Sequence, residues 1–284
     1  MTSVLVLIAA PGSGAITEKV IALVGSPPKW LAAGEAAEFT NYPTGIKQKL
    51  SHFAIDVNIV PTAHRRKKLL IADMDSTMIH QECIDELGVM AGVGDHIKDI
   101  TARAMRGELD FDGALKERVT LLKGLDESII ADVIRTRITF MEGGKTLLAT
   151  MKTHGAYSAL VSGGFTAFTA HVAGALGFDE NRANTLLIEN GKLTGEVGLP
   201  ILGKEAKVVS LNRICQVHGI ALAESIAVGD GANDIPMLLE AGMGVALHAK
   251  PKVQDAAPYV INHGNLTSLL YLQGYALDEI LILG

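Results

Sequence analysis

The sequence predicts an α/β protein: a doubly wound, Rossmann-like parallel sheet with a helical cap inserted after its first core strand, preceded by a small α+β module. Three observations carry that expectation. Apolar runs at 69–72, 157–161 and 226–228 each stop abruptly at a polar cluster, beginning at Asp73, Ser162 and Gly229, as buried parallel strands do where they deliver side chains to a ligand. Helix-spaced segments alternate with strand-like ones from about residue 142 onward, which is the rhythm of βαβ units. Between the first and second runs the pattern is helical throughout, with Ile84, Leu87, Met90, Ile97, Ile100 and Ala104 at spacings of three and four.

Composition agrees. A chain of 284 residues with 48% hydrophobic and 5% aromatic residues has the material for a large aliphatic core and is not of the disordered class. The formal charge of -6 argues against nucleic acid as a bulk electrostatic partner. The one basic cluster, Arg65, Arg66, Lys67 and Lys68, reads as a solvated lead-in to the strand that follows. Cys83 and Cys215 stand far apart with no metal-type spacing, so two free thiols in a reducing cytoplasm are expected. The apolar start at 4–10 lacks a basic leader and runs into Pro11-Gly12-Ser13-Gly14, so we expect a strand and turn there and no secretion signal. No run is long enough to span a membrane.

In chain order, residues 1–64 read as a small module: a strand near 4–8, a helix near 17–24, a strand near 30–39, a helix near 45–51 and a strand at 57–60, in a βαββαβ or βαβαβ pattern. Pro61-Thr62-Ala63 has linker composition. Residues 65–284 would form the main domain, with the cap at about 80–140 acting as a lid over the site. After it we expect a helix over 144–153, the second strand with a Ser162-Gly163-Gly164 turn, and a helix over 165–176. A hairpin around Asn190-Gly191, a helix over 204–217, the third strand, strands at 244–247 and 259–261, and a packing helix within 266–283 complete the chain.

The polar strand exits hold the chemistry. Asp73 and Asp75 leave one strand together and would repel unless a cation or a shared proton holds them. Asp230, Asn233 and Asp234 leave another, and Ser162-Gly163-Gly164 offers backbone N–H groups ahead of a helix, suited to phosphate oxygens. Carboxylates without a Cys or His cluster suit a hard, oxygen-seeking ion, above all Mg²⁺. Each motif alone has a plain reading: D-x-D as surface turn chemistry, 230–234 as an Asx-rich turn, Ser-Gly-Gly as an ordinary loop. Together, each at a strand end, they read as one site.

Asp73-Met74-Asp75-Ser76-Thr77, Val161-Ser162-Gly163-Gly164-Phe165, Lys207 and Gly229-Asp230-Gly231-Ala232-Asn233-Asp234 resemble the four motifs of the haloacid dehalogenase superfamily of phosphatases. With Glu82 and Arg118 added, they resemble more narrowly its branch acting on phosphoserine, from about Lys67 to the C-terminus. Residues 1–64 are similar to the ACT-like modules attached to some members. The resemblance implies Asp73 as nucleophile and Asp75 as general acid and base. Mg²⁺ would be held by Asp73, the backbone carbonyl of Asp75 and Asp230, with Asp234 supporting through water and Asn233 orienting the site. Ser162, the Gly163 amide and Lys207 would neutralise the phosphoryl group. O-phospho-L-serine carries an ammonium and a carboxylate, which Glu82 and Arg118 would take, with Met105 and Phe111 lining the apolar side. The implied setting is cytoplasmic serine synthesis, with no nucleic-acid or membrane partner; a homodimer through the first module is left open. Rival readings are a phosphatase or phosphotransferase for another small phosphomonoester, and a serine-sensing regulatory protein.

Overall fold

The structure is a computed structural model that describes residues 2–105 and 108–283; of Met105 only the backbone is described. The chain opens with β1 (Ser3–Ala9), α1 (Glu18–Val24), β2 (Lys29–Ala32), β3 (Ala36–Phe39), α2 (Ile46–Leu50) and β4 (Ile55–Pro61). This is the βαββαβ alternative, and its antiparallel sheet has the order β2-β3-β1-β4. The single strand expected over 30–39 is a hairpin, because Gly34 adopts φ +73 and turns the chain between β2 and β3. β1 is an inner strand buried on both faces, which explains its unbroken apolar run. Leu5, Leu7 and Ala9 pack with Val20, Val24, Ile46 and Leu50 of α1 and α2. Val4, Val6 and Ile8 join the main core instead.

The second sheet is parallel. β5 (Leu69–Ala72) is followed by four helices, α3 (Cys83–Met90), α4 (Gly94–Met105), α5 (Phe111–Thr120) and α6 (Ser128–Thr136). Then come α7 (Gly144–Thr153), β6 (Tyr157–Phe165), α8 (Thr166–Leu176) and β7 (Glu180–Asn184). The hairpin β8 (Leu186–Glu189) and β9 (Lys192–Val197) precedes α9 (Lys204–His218), β10 (Ser225–Gly229), α10 (Ile235–Glu240), β11 (Met243–Leu247), α11 (Pro251–Ala256), β12 (Tyr259–Ile261) and α12 (Ser268–Leu272). The order is β12-β11-β10-β5-β6-β7, so the strand carrying Asp73 is flanked by the strands that lead to Asp230 and Ser162. Ser162-Gly163-Gly164 belongs to an irregular stretch of β6 and is not a separate turn. The expected C-terminal packing helix is only α12: the chain turns at Gly274 and continues without a long helix. Leu269, Leu270, Tyr271 and Leu272 are nonetheless fully enclosed.

The first module and the parallel sheet are joined by polar contacts as well as a shared core. β12 is an edge strand, and side chains of β4 satisfy its backbone. Asn58 donates to Val260 O at 2.9 Å and accepts from Val260 N at 3.1 Å. Asp56 accepts from the N–H groups of Asn262, His263 and Gly264 at 2.7 to 3.2 Å. The basic cluster is correspondingly only half solvated: Arg66 and Lys68 are exposed, whereas Arg65 and Lys67 are covered. Arg65 donates to the carbonyls of Leu272 and Tyr271 and pairs with Glu38 of β3 at 2.6 Å, and Lys67 is buried with its ammonium on Ala223 O at 2.7 Å. Burial lowers the Lys67 pKa to about 8.

Burial alone would raise the Glu38 carboxyl, but hydrogen bonds from Lys29 and Arg65 outweigh it and hold the group below its ordinary 4.5. A depressed carboxyl stabilises the fold above its unfolded value, and that contribution disappears as pH falls through the folded one. Glu38→Gln is therefore expected to cost about 1–2 kcal/mol near neutral pH. Urea unfolding should show the gap between variant and wild type closing in acid; a gap that persists undiminished at pH 3 would contradict the sign.

Candidate active site

β5 and β10 run side by side with Ala72 paired to Val228. The Asp73 N–H donates to Val228 O at 3.0 Å, so the parallel ladder itself fixes where that carboxylate leaves the sheet. Asp73 Oδ1 accepts from the Met74 N–H at 2.8 Å and from Lys207 Nζ at 2.8 Å. Lys207, one turn into α9, also meets Asp234 Oδ1 at 2.5 Å and is 1% exposed. Asp234 Oδ2 accepts from the Gly231 N–H at 2.9 Å, and Asp230 Oδ1 accepts from the Thr77 hydroxyl at 3.0 Å.

Asp73, Asp230 and Asp234 each bring a carboxylate oxygen within 4.8 Å of the others, all three buried. Burial and the neighbouring Asp234 push the Asp73 carboxyl well above its ordinary range, against the pull of Lys207. Asp230 rises to about 6 from burial and Asp234, with the Thr77 bond working the other way. Burial would lower Lys207, but Asp234 and Asp73 hold it above the usual lysine value. One ammonium among three enclosed carboxylates leaves excess negative charge, and the oxygen-only donor set fits a hard divalent cation. The Asp75 side chain stands apart from this group: its Oδ1 accepts from the Cys83 N–H at 3.3 Å, at the start of α3.

A cavity of about 330 Å³ opens from Asp73 toward the helical insert. Its lining includes Asp73, Asp75, Glu82, Phe111, Arg118, Ser162, Gly163, Asp230 and Asn233, so the expected residues from four separate segments meet at one place. Burial and then Glu82 raise Asp75 to about 7, opposed by its bonds from Cys83. Ser76, in the left-handed region at φ 53, donates to Glu82 Oε1 at 2.8 Å. Arg118 donates to Ala114 O at 3.2 Å and to the Thr101 hydroxyl at 3.5 Å, and has no carboxylate within ion-pair distance among the described residues. Burial lowers its pKa against the fields of Asp85, Glu82 and Asp75. A Cβ at Gly164 would lie 2.8 Å from Asp75 Oδ2, so a larger residue there would displace that carboxylate. The side chain of Met105 lies outside the described residues.

Sequence reasoning passed over Asp85, Thr101 and Lys250, which also line the cavity, and the partner roles of Thr77 and Asn184. Asp85 carried a signal, three residues after Glu82 on the same helical face. Thr77 lay inside the D-x-D-S-T string. Lys250 and Asn184 had no local signal, because strand order alone brings them to the site.

The profile of the haloacid dehalogenase-like hydrolases matches residues 70–239. The chain belongs to that family. Within it, the chain is 41% identical over 239 residues to a phosphoserine phosphatase of Streptomyces coelicolor, covering 84% of this chain and 58% of that protein. It is 45% identical over 214 residues to a phosphoserine phosphatase of Streptococcus thermophilus, covering 75% of this chain and 97% of that one. The unliganded structure of a probable phosphoserine phosphatase from Vibrio cholerae superposes with a TM-score of 0.79 at 32% identity, covering 98% of this chain and 88% of that one. The haloacid dehalogenase-like match begins inside β5 and ends inside α10. It thus includes Asp73, Lys207 and Asp230 and leaves the first module outside.

Proposed function

We propose that the chain hydrolyses O-phospho-L-serine to L-serine and inorganic phosphate through an aspartyl-phosphate on Asp73. The observation that carries this reading is the single cavity in which Asp73 and Asp75 face Glu82 and Arg118. It offers a nucleophile and a proton carrier at one end, and one acid and one base at the other. The ammonium of the substrate goes to Glu82 and its carboxylate to Arg118, whose guanidinium is free of a carboxylate partner among the described residues. Phe111 covers the apolar side, and Met105 is assigned there on its helix position.

In the first step an Asp73 carboxylate oxygen bonds to phosphorus while the bond from phosphorus to the seryl oxygen breaks. Asp75 gives its proton to that oxygen, a role suited to a carboxyl near pH 7. In the second step Asp75 takes a proton from water, the water oxygen bonds to phosphorus, and the bond to Asp73 breaks. Lys207 draws Asp73 toward its ionised form and neutralises phosphoryl charge together with Ser162 and the Gly163 amide. Asp73, the Asp75 carbonyl and Asp230 would hold Mg²⁺, with Asp234 supporting and Asn233 orienting the site; the ion supplies charge neutralisation at the phosphoryl oxygens. The insert at about 80–140 serves as the cap that admits water only to the second step. Residues 1–64 form an ACT-like domain beside the 65–284 phosphatase domain, a candidate surface for a homodimer. A cytoplasmic setting fits this chemistry, and no helix among the described residues is long and apolar enough to cross a membrane.

Phosphate release from O-phospho-L-serine tests the reading. Activity should vanish with a chelator and return with Mg²⁺, and Asp73→Asn should lose on the order of 10³-fold or more in kcat. Full turnover by Asp73→Asn would overturn the mechanism. Arg118→Ala is expected to raise KM for phosphoserine about ten- to a hundredfold, the worth of a charge-assisted hydrogen bond. Its rate on p-nitrophenyl phosphate, which has no carboxylate, should be little changed. An equal loss on both esters would contradict the substrate assignment.

A further inference from the structure

The geometry points to Asn184 as a positioning residue for the phosphoryl-binding loop 162–164, an inference that rests on the phosphomonoester reading above. Val161 pairs with Arg182 and Phe165 with Asn184, so Ser162, Gly163 and Gly164 on β6 stand opposite Ala183 alone on β7. The surplus residues must leave the ladder as a bulge, and their backbone groups need other partners. The Gly163 carbonyl finds one in Asn184, whose Nδ2 donates to it at 2.9 Å. Ser162 Oγ takes the Gly164 N–H at 2.9 Å. Ser162, Gly163 and Gly164, the residues of this bulge, all line the cavity.

Asn184 holds a second segment at the same time. Its Oδ1 accepts from the Leu202 N–H at 2.7 Å, and its Nδ2 also reaches Leu202 O at 3.3 Å. Leu202 is two residues ahead of α9, whose first turns carry Lys207. The side chain is 2% exposed, and its hydrogen bonds among the described residues go to the Gly163 and Leu202 backbone. One buried amide therefore fixes the bulge that supplies Ser162 and Gly163 relative to the helix that supplies Lys207. These three groups act on the same phosphoryl oxygens, where a misplacement of about 1 Å costs on the order of a hundredfold. Neither segment carries another side chain bonded to the other among the described residues.

The test compares full-length wild type, Asn184→Ala and Asn184→Asp on O-phospho-L-serine and on p-nitrophenyl phosphate, with Mg²⁺ present. It adds the inhibition constant of orthovanadate, which mimics five-coordinate phosphorus, and the thermal midpoint. Asp at this position keeps an acceptor for the Leu202 N–H and replaces the donor to Gly163 O by an acceptor. Both variants are expected to lose about ten- to a hundredfold in kcat, by the same factor on both esters, with KM for phosphoserine within about twofold. The vanadate constant should rise in proportion. A merely structural role would lower the active fraction and the midpoint without moving that constant, which is a property of each active molecule. If Asn184→Ala does not fold, Asn184→Asp decides alone. Wild-type kcat in Asn184→Asp, or a lower kcat with an unmoved vanadate constant, overturns the inference. A wild type that turns over neither ester overturns the functional reading as well, and is thereby distinguished from an active wild type matched by its variant.

Discussion

The interaction on which the site depends is the Lys207 ammonium set between Asp73 and Asp234. Removing three carboxylates from water within 4.8 Å of one another is unfavourable, and a lone buried charge is more unfavourable still. Lys207 offsets part of that cost, and its own burial is tolerable only because both acids face it. The sheet order makes the arrangement reachable. β5 lies between β10 and β6, so residues 73, 230 and 162 leave neighbouring strands at one edge, and α9 packs where its first turns overlook them. The negative charge that remains uncompensated is what suits the site to a divalent cation.

In the proposed reading, chemistry and recognition sit on different parts of the chain. Asp73 and Asp230 follow strands of the parallel ladder, while Glu82, Phe111 and Arg118 belong to the helical segments after β5 or their approach. The two parts meet within a few residues. Ser76, turned into the left-handed region, passes its hydroxyl to Glu82, and Asp75 receives an amide from the first residue of α3. A shift of the helices after β5 would thus be felt directly at the Asp75 carboxylate, through one hydrogen bond and no intermediate residue.

The framework was legible where residues adjacent in sequence determine their own neighbourhood. The apolar runs ending at Asp73, Ser162 and Gly229 located the central strands and their exits, and helical spacing located the insert. Lys207 became visible only through resemblance, since one lysine in an amphipathic helix has no local signature. Legibility ended where partners are remote and are backbone atoms. Arg65 caps carbonyls of Tyr271 and Leu272, Asp56 binds amides of residues 262–264, and Asn184 holds a bulge on a neighbouring strand. Nothing in composition separates such residues from solvated ones, which is why the basic cluster at 65–68 read as surface. Gly34 and Gly274 divided a strand and ended a helix for a related reason: a positive φ is set by the path the chain must take.

The cover that β4 places over β12 bears on how the polypeptide stays dispersed. Asp56 and Asn58 occupy the backbone of an outer strand that would otherwise be a template for another chain, and Val4, Val6 and Ile8 seal the apolar surface around α12. The module therefore covers the outer edge of the parallel sheet. Any truncation that starts the chain at β5 would uncover both features at once and favour self-association through them.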